Sequence, residues 1–373
     1  MQSDSFIYKF YYQWWKNIDK SIFLLIGLLF VIGLFFSLVS TSLIASDKLD
    51  TNSYFFFFKH LIYVLIGISL IFIFSSLNSD QLYKYSIFLF FISLISLFLV
   101  PFVGVEVKGS KRWIDLFFLP RFQPIEVLKP FLVIILAIIL CDIRSNILFK
   151  YLISIILISI ISLLLIAQPD IGQTLLVVFC WVTLIFTSGI NIYILLAIFV
   201  TGTCLLAYLI IYVPRFDYIQ GRIFSFFNKE TGTHNFQSDK AIESIISGGY
   251  FGKGVGEGTL KNTVPEAHTD YIISVISEEF GVIAIILILF LFLVLIYSIF
   301  KRVYYKNEEK VKLILVGSAS LIMFQVMIHI GVNIRLFPTT GMTLPFISYG
   351  GSSIISISIL SGIILNLTKR KID

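Results

Sequence analysis

Charged residues are scarce in this sequence: Asp, Glu, Lys and Arg make up 13% of its 373 residues, whereas hydrophobic residues make up 58%. A soluble domain of ordinary composition carries about 25% charged residues. The apolar segments also lack the two-residue alternation, over about 10 residues, that is typical of transmembrane β-barrels. The composition therefore excludes a soluble globular protein, and the pattern excludes a β-barrel.

Cysteine and histidine are also rare, with three and four residues. Cys141, Cys180 and Cys204 lie within or at the ends of apolar segments, and their spacing fits neither a zinc site nor a disulfide framework. The net charge is +6, but the basic residues are scattered between apolar segments rather than arranged in one stripe with aromatic residues. We therefore predict no protein-bound metal and no nucleic-acid partner.

Ten apolar segments of membrane-spanning length follow one another along the chain. A transmembrane helix needs about 20 predominantly apolar residues. The predicted spans are 21–43, 55–77, 85–103, 123–141, 151–167, 170–188, 191–213, 270–300, 311–335 and 347–368. The sequence therefore predicts an all-α, polytopic integral membrane protein with about ten transmembrane helices, forming a single domain over residues 1–373.

The distribution of Lys and Arg in short segments predicts the orientation. Residues 1–20 mix aromatic and basic side chains as in a cytoplasmic interfacial segment, and the loop 301–312 is strongly basic. Both termini are therefore expected in the cytoplasm, which makes 214–269 one large extracytoplasmic loop. The loop 104–122 is then basic on the outer face, against the positive-inside rule, which suggests an anionic ligand or lipid head group there.

A first group of candidate site residues lies around the start of the fourth predicted span. Lys111 and Arg112 precede it, while Glu126 and Lys129 stand three residues apart and share one helix face. Two interpretations remain open. The pair could be an interfacial ion pair that tethers the helix end, or Glu126 could hold Lys129 in a cationic pocket that binds a phosphate-bearing group together with Lys111 and Arg112.

A second group follows a glycine-rich stretch, residues 247–264, that leads to Asp270. The stretch does not match a nucleotide-binding loop, because Gly252 and Lys253 are followed by Gly254 rather than Ser or Thr. It predicts a flexible, close-packing loop. Asp270 has two compatible interpretations, as the N-terminal cap of the eighth span or as a general base near His268 at the membrane boundary.

The ninth span carries a polar stripe, formed by Gln325, His329 and Asn333 at successive four-residue steps. Hydrogen bonding between helices is favoured over a proton path. The following segment, residues 337–353, contains two prolines and three glycines and is expected to be an irregular outer loop. Three outer segments, 104–130, 214–270 and 335–353, are therefore expected to surround one polar cavity.

These segments resemble the SEDS family of polytopic peptidoglycan glycosyltransferases, with its division-associated FtsW and elongation-associated RodA branches. The resemblance runs in chain order through most of the sequence. It rests on KGSKRWIDL (108–116), FQPIEVLKP (122–130), AQPDIGQTLL (167–176), GGYFGKGVGEGTLKNTVPEAHTDYIISVISEEFG (248–281) and PTTGMTLPFISYGGSS (338–353). Ala267 and the Met-Thr-Leu-Pro run at 342–345 make it most similar to the FtsW branch.

The resemblance implies roles for individual residues. Asp270 occupies the Asp of the family's His-Thr-Asp motif and would be the catalytic carboxylate, with Glu266 and His268 contacting substrate. Arg112, Glu126 and Lys129 match polar positions on which the family's function depends. This sequence departs from the family pattern close to that pair, at Ile125, Leu128 and Pro130.

The resemblance also implies the reaction and its setting. The substrates would be lipid II and the undecaprenyl-diphosphate-linked glycan, polymerised on the outer face of the cytoplasmic (inner) membrane, at the division septum. No cofactor is required, although a divalent cation, Mg or Mn, could accompany the lipid diphosphate. The implied partners are a class B penicillin-binding protein, other division proteins and membrane lipids.

Other functions remain open from the sequence. A lipid II flippase or an ion-coupled transporter could use Glu278, Glu279 and His329 as a relay, but no convincing internal repeat is present. A noncatalytic scaffold for division proteins would not need Asp270. Within the family, a RodA-type elongation enzyme is the alternative.

Overall fold

The structure, a computed structural model, describes residues 2–40, 54–107, 109–116, 119–142, 146–213, 216–217, 219–221 and 236–369. Part of the predicted outer loop 214–269, including residues 222–235, therefore lies outside the described residues. Within the described ranges the chain forms twelve α-helices. They are α1 (Gln2–Asn17), α2 (Lys20–Ser40), α3 (Phe55–Ser76), α4 (Ser79–Val103), α5 (Pro124–Leu140), α6 (Ile147–Ala167), α7 (Ile171–Thr187), α8 (Ile192–Tyr212), α9 (Phe236–Gly248), α10 (Ile272–Tyr304), α11 (Glu309–Asn333) and α12 (Gly351–Thr368).

Ten of these helices correspond one to one to the ten predicted spans. Eight of them, α2 to α4, α6, α8 and α10 to α12, are long and apolar enough to cross a membrane. The other two, α5 and α7, have 17 residues each, which is at the lower limit for a span. The prediction of a polytopic α-helical membrane protein is confirmed, and most span ends agree within a few residues.

The helices differ strongly in how much protein surrounds them. Within the most apolar stretch of each helix, 89% of the residues are buried in α12 and 78% in α11, but none in α8. Small residues let α12 approach α3 closely: a Cβ added at Gly362 would lie 2.7 Å from the Cβ of Phe74. Such close approach is how helices associate in lipid, where the hydrophobic effect does not drive them together. The centre of the molecule is therefore built on α11 and α12.

The segment 104–122, predicted as a basic loop, contains three short strands. They are β1 (Val105–Val107), β2 (Ser110–Leu116) and β3 (Leu119–Phe122), which pair antiparallel in that order. Gly109, with φ at +76°, lies in the tight turn between β1 and β2, where a left-handed conformation favours glycine. The α-helical fold therefore includes one small sheet where the sequence predicted a loop, because β-branched and aromatic residues favour extended, paired backbone there.

Helix α10 is interrupted by Gly281, which has φ at +78°. The interruption frees backbone groups that a continuous helix would use, and the glycine-rich loop satisfies them. Before the interruption, the carbonyls of residues 278 and 279 accept from the N–H groups of residues 253 and 254, at 2.9 and 3.0 Å. After it, the N–H groups of residues 282 and 283 donate to the carbonyls of residues 249 and 250, at 3.0 and 3.4 Å. The predicted close packing is confirmed, and its partner is the α10 backbone.

Candidate functional site

Asp270 lies in a tight turn that leads into α10. The carbonyl oxygen of Glu266 accepts hydrogen bonds from the N–H groups of Thr269 and Asp270, both at 3.1 Å, and of Tyr271 at 3.3 Å. Glu266 itself has φ at +56°, an uncommon conformation for a residue other than glycine. The side chain of Asn333, at the end of α11, donates to the carbonyl of Asp270 at 3.0 Å. The backbone of Asp270 is therefore held from two sides.

Asp270 is a partly exposed residue, and it is not the cap residue of α10. The N-cap of that helix is Tyr271, which makes no side-chain capping bond, so the cap interpretation of Asp270 is wrong. Its Oδ2 lies next to Gly341, where an added Cβ would be 3.4 Å away. Burial raises the pKa of Tyr271, and the negative charge of Asp270 raises it further. The Tyr271 hydroxyl therefore stays protonated beside the carboxylate.

The polar stripe on α11 positions the chain that faces Asp270. Gln325 donates to the carbonyl of Thr343 at 3.0 Å, and His329 Nδ1 donates to that of Met342 at 2.7 Å. Both carbonyls belong to residues 334–350, which run without a regular helix or strand between α11 and α12, as predicted. The stripe forms hydrogen bonds, as expected: Gln325 is bound by Lys129 of another helix, α5, and the other partners of the stripe are this irregular segment and Asp270.

Glu126 and Lys129 form a buried ion pair on α5. The Lys129 Nζ lies 2.9 Å from Glu126 Oε2, and the two residues are 2% and 4% exposed. Glu126 also accepts from the side chain of Gln173 at 2.5 Å, and Lys129 donates to Gln325 at 3.4 Å. The predicted shared face and ion pair are confirmed. The pair is enclosed by α7 and α11, through Gln173 and Gln325.

Arg112, on β2, binds the turn between α6 and α7. Its guanidinium donates to the carbonyls of Gln168, at 3.0 Å, and Pro169, and lies 4.0 Å from the carboxylate of Asp170. Asp170 is buried and accepts a hydrogen bond from the side chain of Gln123 at 2.8 Å. Burial raises the pKa of Asp170, and the positive charge of Arg112 opposes that rise.

Asp170, Gln123 and Gln173 were not identified as site residues from the sequence. The run Gln-Pro-Asp between two spans could have indicated them, because a carboxylate so close to lipid needs a polar or charged partner. Asp170 accepts from the backbone N–H of Gln173 at 3.3 Å, as the cap residue of α7. The side chain of Gln173 reaches Glu126, so the cluster around Asp170 is continuous with the ion pair on α5.

Residues 340–343 connect this network to Asp270. A Cβ added to Gly172, near the start of α7, would lie 2.8 Å from Thr340 and 2.9 Å from Met342. Gly341, between them, faces the Asp270 carboxylate. One turn of irregular chain therefore separates the catalytic candidate from the buried network that contains Arg112, Glu126 and Lys129.

The remaining candidates occupy different environments. Lys111 is exposed on β2. The ring of His268 lies 4.9 Å from that of Phe56 and 5.9 Å from that of Tyr349, and its carbonyl accepts from the N–H of Tyr349 at 3.1 Å. Asp270, Glu266 and His268 therefore lie in one turn at the edge of residues 334–350, whereas Lys111 lies on the sheet.

Two of the residues considered for a transport relay bind the protein itself. Glu278 is fully buried and accepts from Leu260 N–H at 2.9 Å and Ser244 Oγ at 3.1 Å, with Lys253 Nζ at 3.5 Å. His329 binds the carbonyl of Met342. Among the described residues, no group of three or more His, Cys, Asp or Glu side chains could hold a metal ion.

Comparison with known proteins places these features in a family context. Residues 19–372 match the model of the cell cycle protein family of FtsW, RodA and SpoVE. A probable peptidoglycan glycosyltransferase FtsW from Coxiella burnetii is 34% identical and covers 95% of this chain and 96% of its own length. The corresponding protein of Caulobacter vibrioides is 30% identical, covering 96% and 91%.

Solved structures are similar over nearly the whole chain. A chain from a peptidoglycan synthase complex, studied for its coordination of polymerisation and crosslinking, superimposes with a TM-score of 0.77, at 25% identity over 94% of this chain and 97% of its own. The rod shape determining protein RodA of Thermus thermophilus superimposes with a TM-score of 0.70, at 26% identity over 95% and 97%.

Proposed function

Because this chain belongs to the FtsW, RodA and SpoVE family, we infer that it is a peptidoglycan glycosyltransferase that polymerises lipid II on the outer face of the membrane during septal cell-wall synthesis. The observation that carries the assignment to a site is the carboxylate of Asp270. It is partly exposed and faces Gly341, while its backbone is bound by Glu266 and Asn333. A carboxylate on a partly exposed residue with a fixed backbone suits a general base.

In the proposed reaction, Asp270 removes the proton from the 4-hydroxyl of the N-acetylglucosamine of the acceptor lipid II. The hydroxyl oxygen then bonds to the anomeric carbon of the N-acetylmuramic acid at the lipid-linked end of the growing glycan. The bond from that carbon to the diphosphate oxygen breaks with inversion, and undecaprenyl diphosphate leaves with the electron pair. The fixed backbone of Asp270 contributes to the reaction rate, because the rate depends on the alignment of base and hydroxyl.

The leaving diphosphate needs positive charge, and we assign that role to Lys111, Arg112 and Lys129. Lys111 is exposed for direct contact, whereas Arg112 and Lys129 act from within the buried network, where charges are weakly screened. Glu126 orients Lys129, and Glu266 and His268 border the acceptor side. A divalent cation, Mg or Mn, would arrive with the diphosphate, since we assign it no protein ligands.

The proposed setting is the inner membrane at the division septum. There we expect a class B penicillin-binding protein to crosslink the glycan made by this chain, together with other division proteins. Similarity to a chain of a peptidoglycan synthase complex supports such a partnership. Similarity to the FtsW relatives favours the division role over the RodA-type role in elongation.

The first test compares the Asp270→Asn variant with the wild-type protein, each purified with its transpeptidase partner and supplied with labelled lipid II. We expect glycan polymer to fall by a factor of about 10² or more, because asparagine cannot accept the proton. Glu243→Gln is the matched control, since it removes a carboxylate on α9 with 50% side-chain exposure, whose partner Lys240 lies on the same helix. Thermal unfolding and partner co-purification establish that the variants are folded.

Normal polymerisation by Asp270→Asn would overturn the assignment of the base and favour a scaffold or a lipid II flippase. The flippase has less support, because Glu278 and His329 bind neighbouring groups of the protein. A flippase would also move lipid II across vesicle membranes without forming polymer, and a dithionite-quenching assay on fluorescent lipid II distinguishes the two activities.

A further inference from the structure

The loop of residues 248–256 presents large apolar side chains outward. Tyr250 is 76% exposed and Phe251 is 82% exposed, and Val255 is 62% exposed on the same loop. The loop has a single charged side chain at neutral pH, Lys253, which lies 3.5 Å from the buried carboxylate of Glu278. It therefore combines exposed aromatic rings with a partly compensated charge. Water alone is a poor environment for such a surface.

The loop holds these rings in place rigidly. Its backbone makes four hydrogen bonds to α10 on either side of Gly281. At Gly252 an added Cβ would overlap the backbone of Glu279, and at Gly281 it would overlap that of Tyr250. Since the two backbones are in direct contact, Tyr250 and Phe251 keep a fixed position relative to α10.

The position along α10 defines the depth of the loop in the membrane. Lys301 and Arg302, in the last turn of α10, mark its cytoplasmic end. About 20 residues at about 1.5 Å per residue span the hydrocarbon core of about 30 Å. Counting back about 20 residues from Lys301 reaches Gly281, so the loop lies at the outer boundary of the hydrocarbon core.

The exposed rings also continue a lipid-facing surface. Ile283, whose N–H binds the carbonyl of Tyr250, is 40% exposed, and Phe290, two turns further along α10, is 60% exposed. A surface of this length on a membrane-spanning helix faces acyl chains. Tyrosine and other aromatic side chains concentrate at the level of the lipid head groups, where one part of the ring is apolar and another is wet.

We propose that loop 248–256 is a membrane-interface anchor, whose Tyr250 and Phe251 side chains insert into the outer leaflet beside α10. The occupant of this surface is phospholipid, at the depth of the glycerol groups and upper acyl chains. The anchor would keep α9, which leads directly into the loop, at a constant height above the membrane. This inference does not depend on the catalytic assignment.

Spin labels test it directly in nanodiscs made from phosphatidylethanolamine and phosphatidylglycerol. In a background without Cys141, Cys180 and Cys204, single cysteines are placed at Phe251, Tyr250, Glu257 and Phe290. Oxygen concentrates in the bilayer and a nickel chelate stays in water, so their collision rates with each label report its depth. Glu257, exposed and charged at the end of the same region, is the matched aqueous control, and Phe290 is the hydrocarbon control.

We expect nickel collisions at Phe251 to be about fivefold fewer than at Glu257, because a polar chelate is excluded from an apolar environment, with Tyr250 slightly more accessible. Equal nickel accessibility at Phe251 and Glu257 would overturn the proposal. Protection of Phe251 that develops only when the transpeptidase is added would also overturn it, since the surface would then bind protein. Both side chains are exposed, so their replacement leaves the packing of the fold intact.

Discussion

Two irregular segments are attached to neighbouring helices by opposite means. Residues 334–350 are held by side chains of α11, since Gln325 and His329 bind their backbone carbonyls. Loop 248–256 is held by the backbone of α10, which pairs with it around Gly281. The first attachment requires specific polar residues on the helix, whereas the second requires the absence of side chains where the two backbones meet.

The difference separates stability from catalytic geometry. Residues 334–350 include Gly341, which faces the carboxylate of Asp270. Substitutions in the α11 stripe should therefore lower the turnover number more than the stability. Loop 248–256 completes the hydrogen bonding of α10, which is interrupted at its tenth residue, Gly281. Substitutions in this loop should therefore lower the free energy of unfolding more than the turnover number. Three substitutions test this separation, in order of decreasing expected effect.

Replacing Gly252 with alanine should have the largest effect. Gly252 has φ at +78°, and its added Cβ would overlap the backbone of Glu279. We expect a loss of about 3 to 5 kcal/mol in the free energy of unfolding, from forced backbone displacement and left-handed strain together. Equilibrium unfolding of the purified protein in a mild detergent measures this loss.

Gly256→Ala is the matched control for that substitution. Gly256 has a similar φ of +84°, but nothing lies within 4 Å of its added Cβ. The Gly256→Ala variant should lose only about 1 to 2 kcal/mol in the free energy of unfolding, from left-handed strain alone. Equal losses at the two positions would mean that contact with the α10 backbone contributes nothing, and the comparison would fail.

Replacing Asn333 with alanine should have an intermediate effect on stability and a clear effect on turnover. The change removes the hydrogen bond to the Asp270 carbonyl, so we expect about 1 to 2 kcal/mol less stability. The kcat for lipid II polymerisation should fall about 10- to 100-fold, with little change in KM, because the base is misaligned. Steady-state kinetics with labelled lipid II measure both constants.

Ser318→Ala on the same helix provides the comparison for Asn333. Ser318 is equally buried, but its hydroxyl donates to the carbonyl of Ile314 within α11. Its loss should leave kcat unchanged. If Ser318→Ala lowered kcat as much as Asn333→Ala, the effect would come from the general packing of α11, and the specific role of Asn333 would be rejected.

The sequence predicted the membrane helices well because an apolar segment of spanning length is a local property of the chain. The contacts that build the site are not local. Arg112 binds a turn 56 residues away, and Lys129 meets Gln325 across 196 residues. Apolar periodicity contains no information on such pairs, so Asp170, Gln123 and Gln173 were missed as members of the network.

Local patterns also misled where short elements compete with a longer one. The glycines and lysines of residues 104–122 predicted a loop, but strands of three, seven and four residues form there through pairing that hydropathy does not detect. Asp270 preceded an apolar run as a helix cap does, but the turn around Glu266 moves the start of α10 to Ile272. The resemblance to a family, rather than this local pattern, favours a catalytic role for Asp270.

Replacing Asp239 with asparagine should have the smallest effect, because it removes the ion pair through which α9 meets the segment 334–350. Arg335 donates to Asp239, but the two side chains are 19% and 44% exposed. Water screens such a pair, so we expect a loss of about 0.2 to 1 kcal/mol in unfolding free energy. Repeating the measurement in 1 M salt should remove most of the difference from the wild-type protein, because the Debye length falls to about 3 Å.

The size of that loss determines whether the two irregular segments are independent. If they are attached only to their own helices, Asp239→Asn leaves kcat unchanged and adds its small loss to that of Gly252→Ala, since sites without shared contacts are additive within about 0.5 kcal/mol. If the double variant instead loses clearly more than the sum and kcat falls, the exposed ion pair couples loop 248–256 to the turn at Asp270. The separation of stability from catalytic geometry would then be wrong, because an anchor in the membrane would be positioning the base.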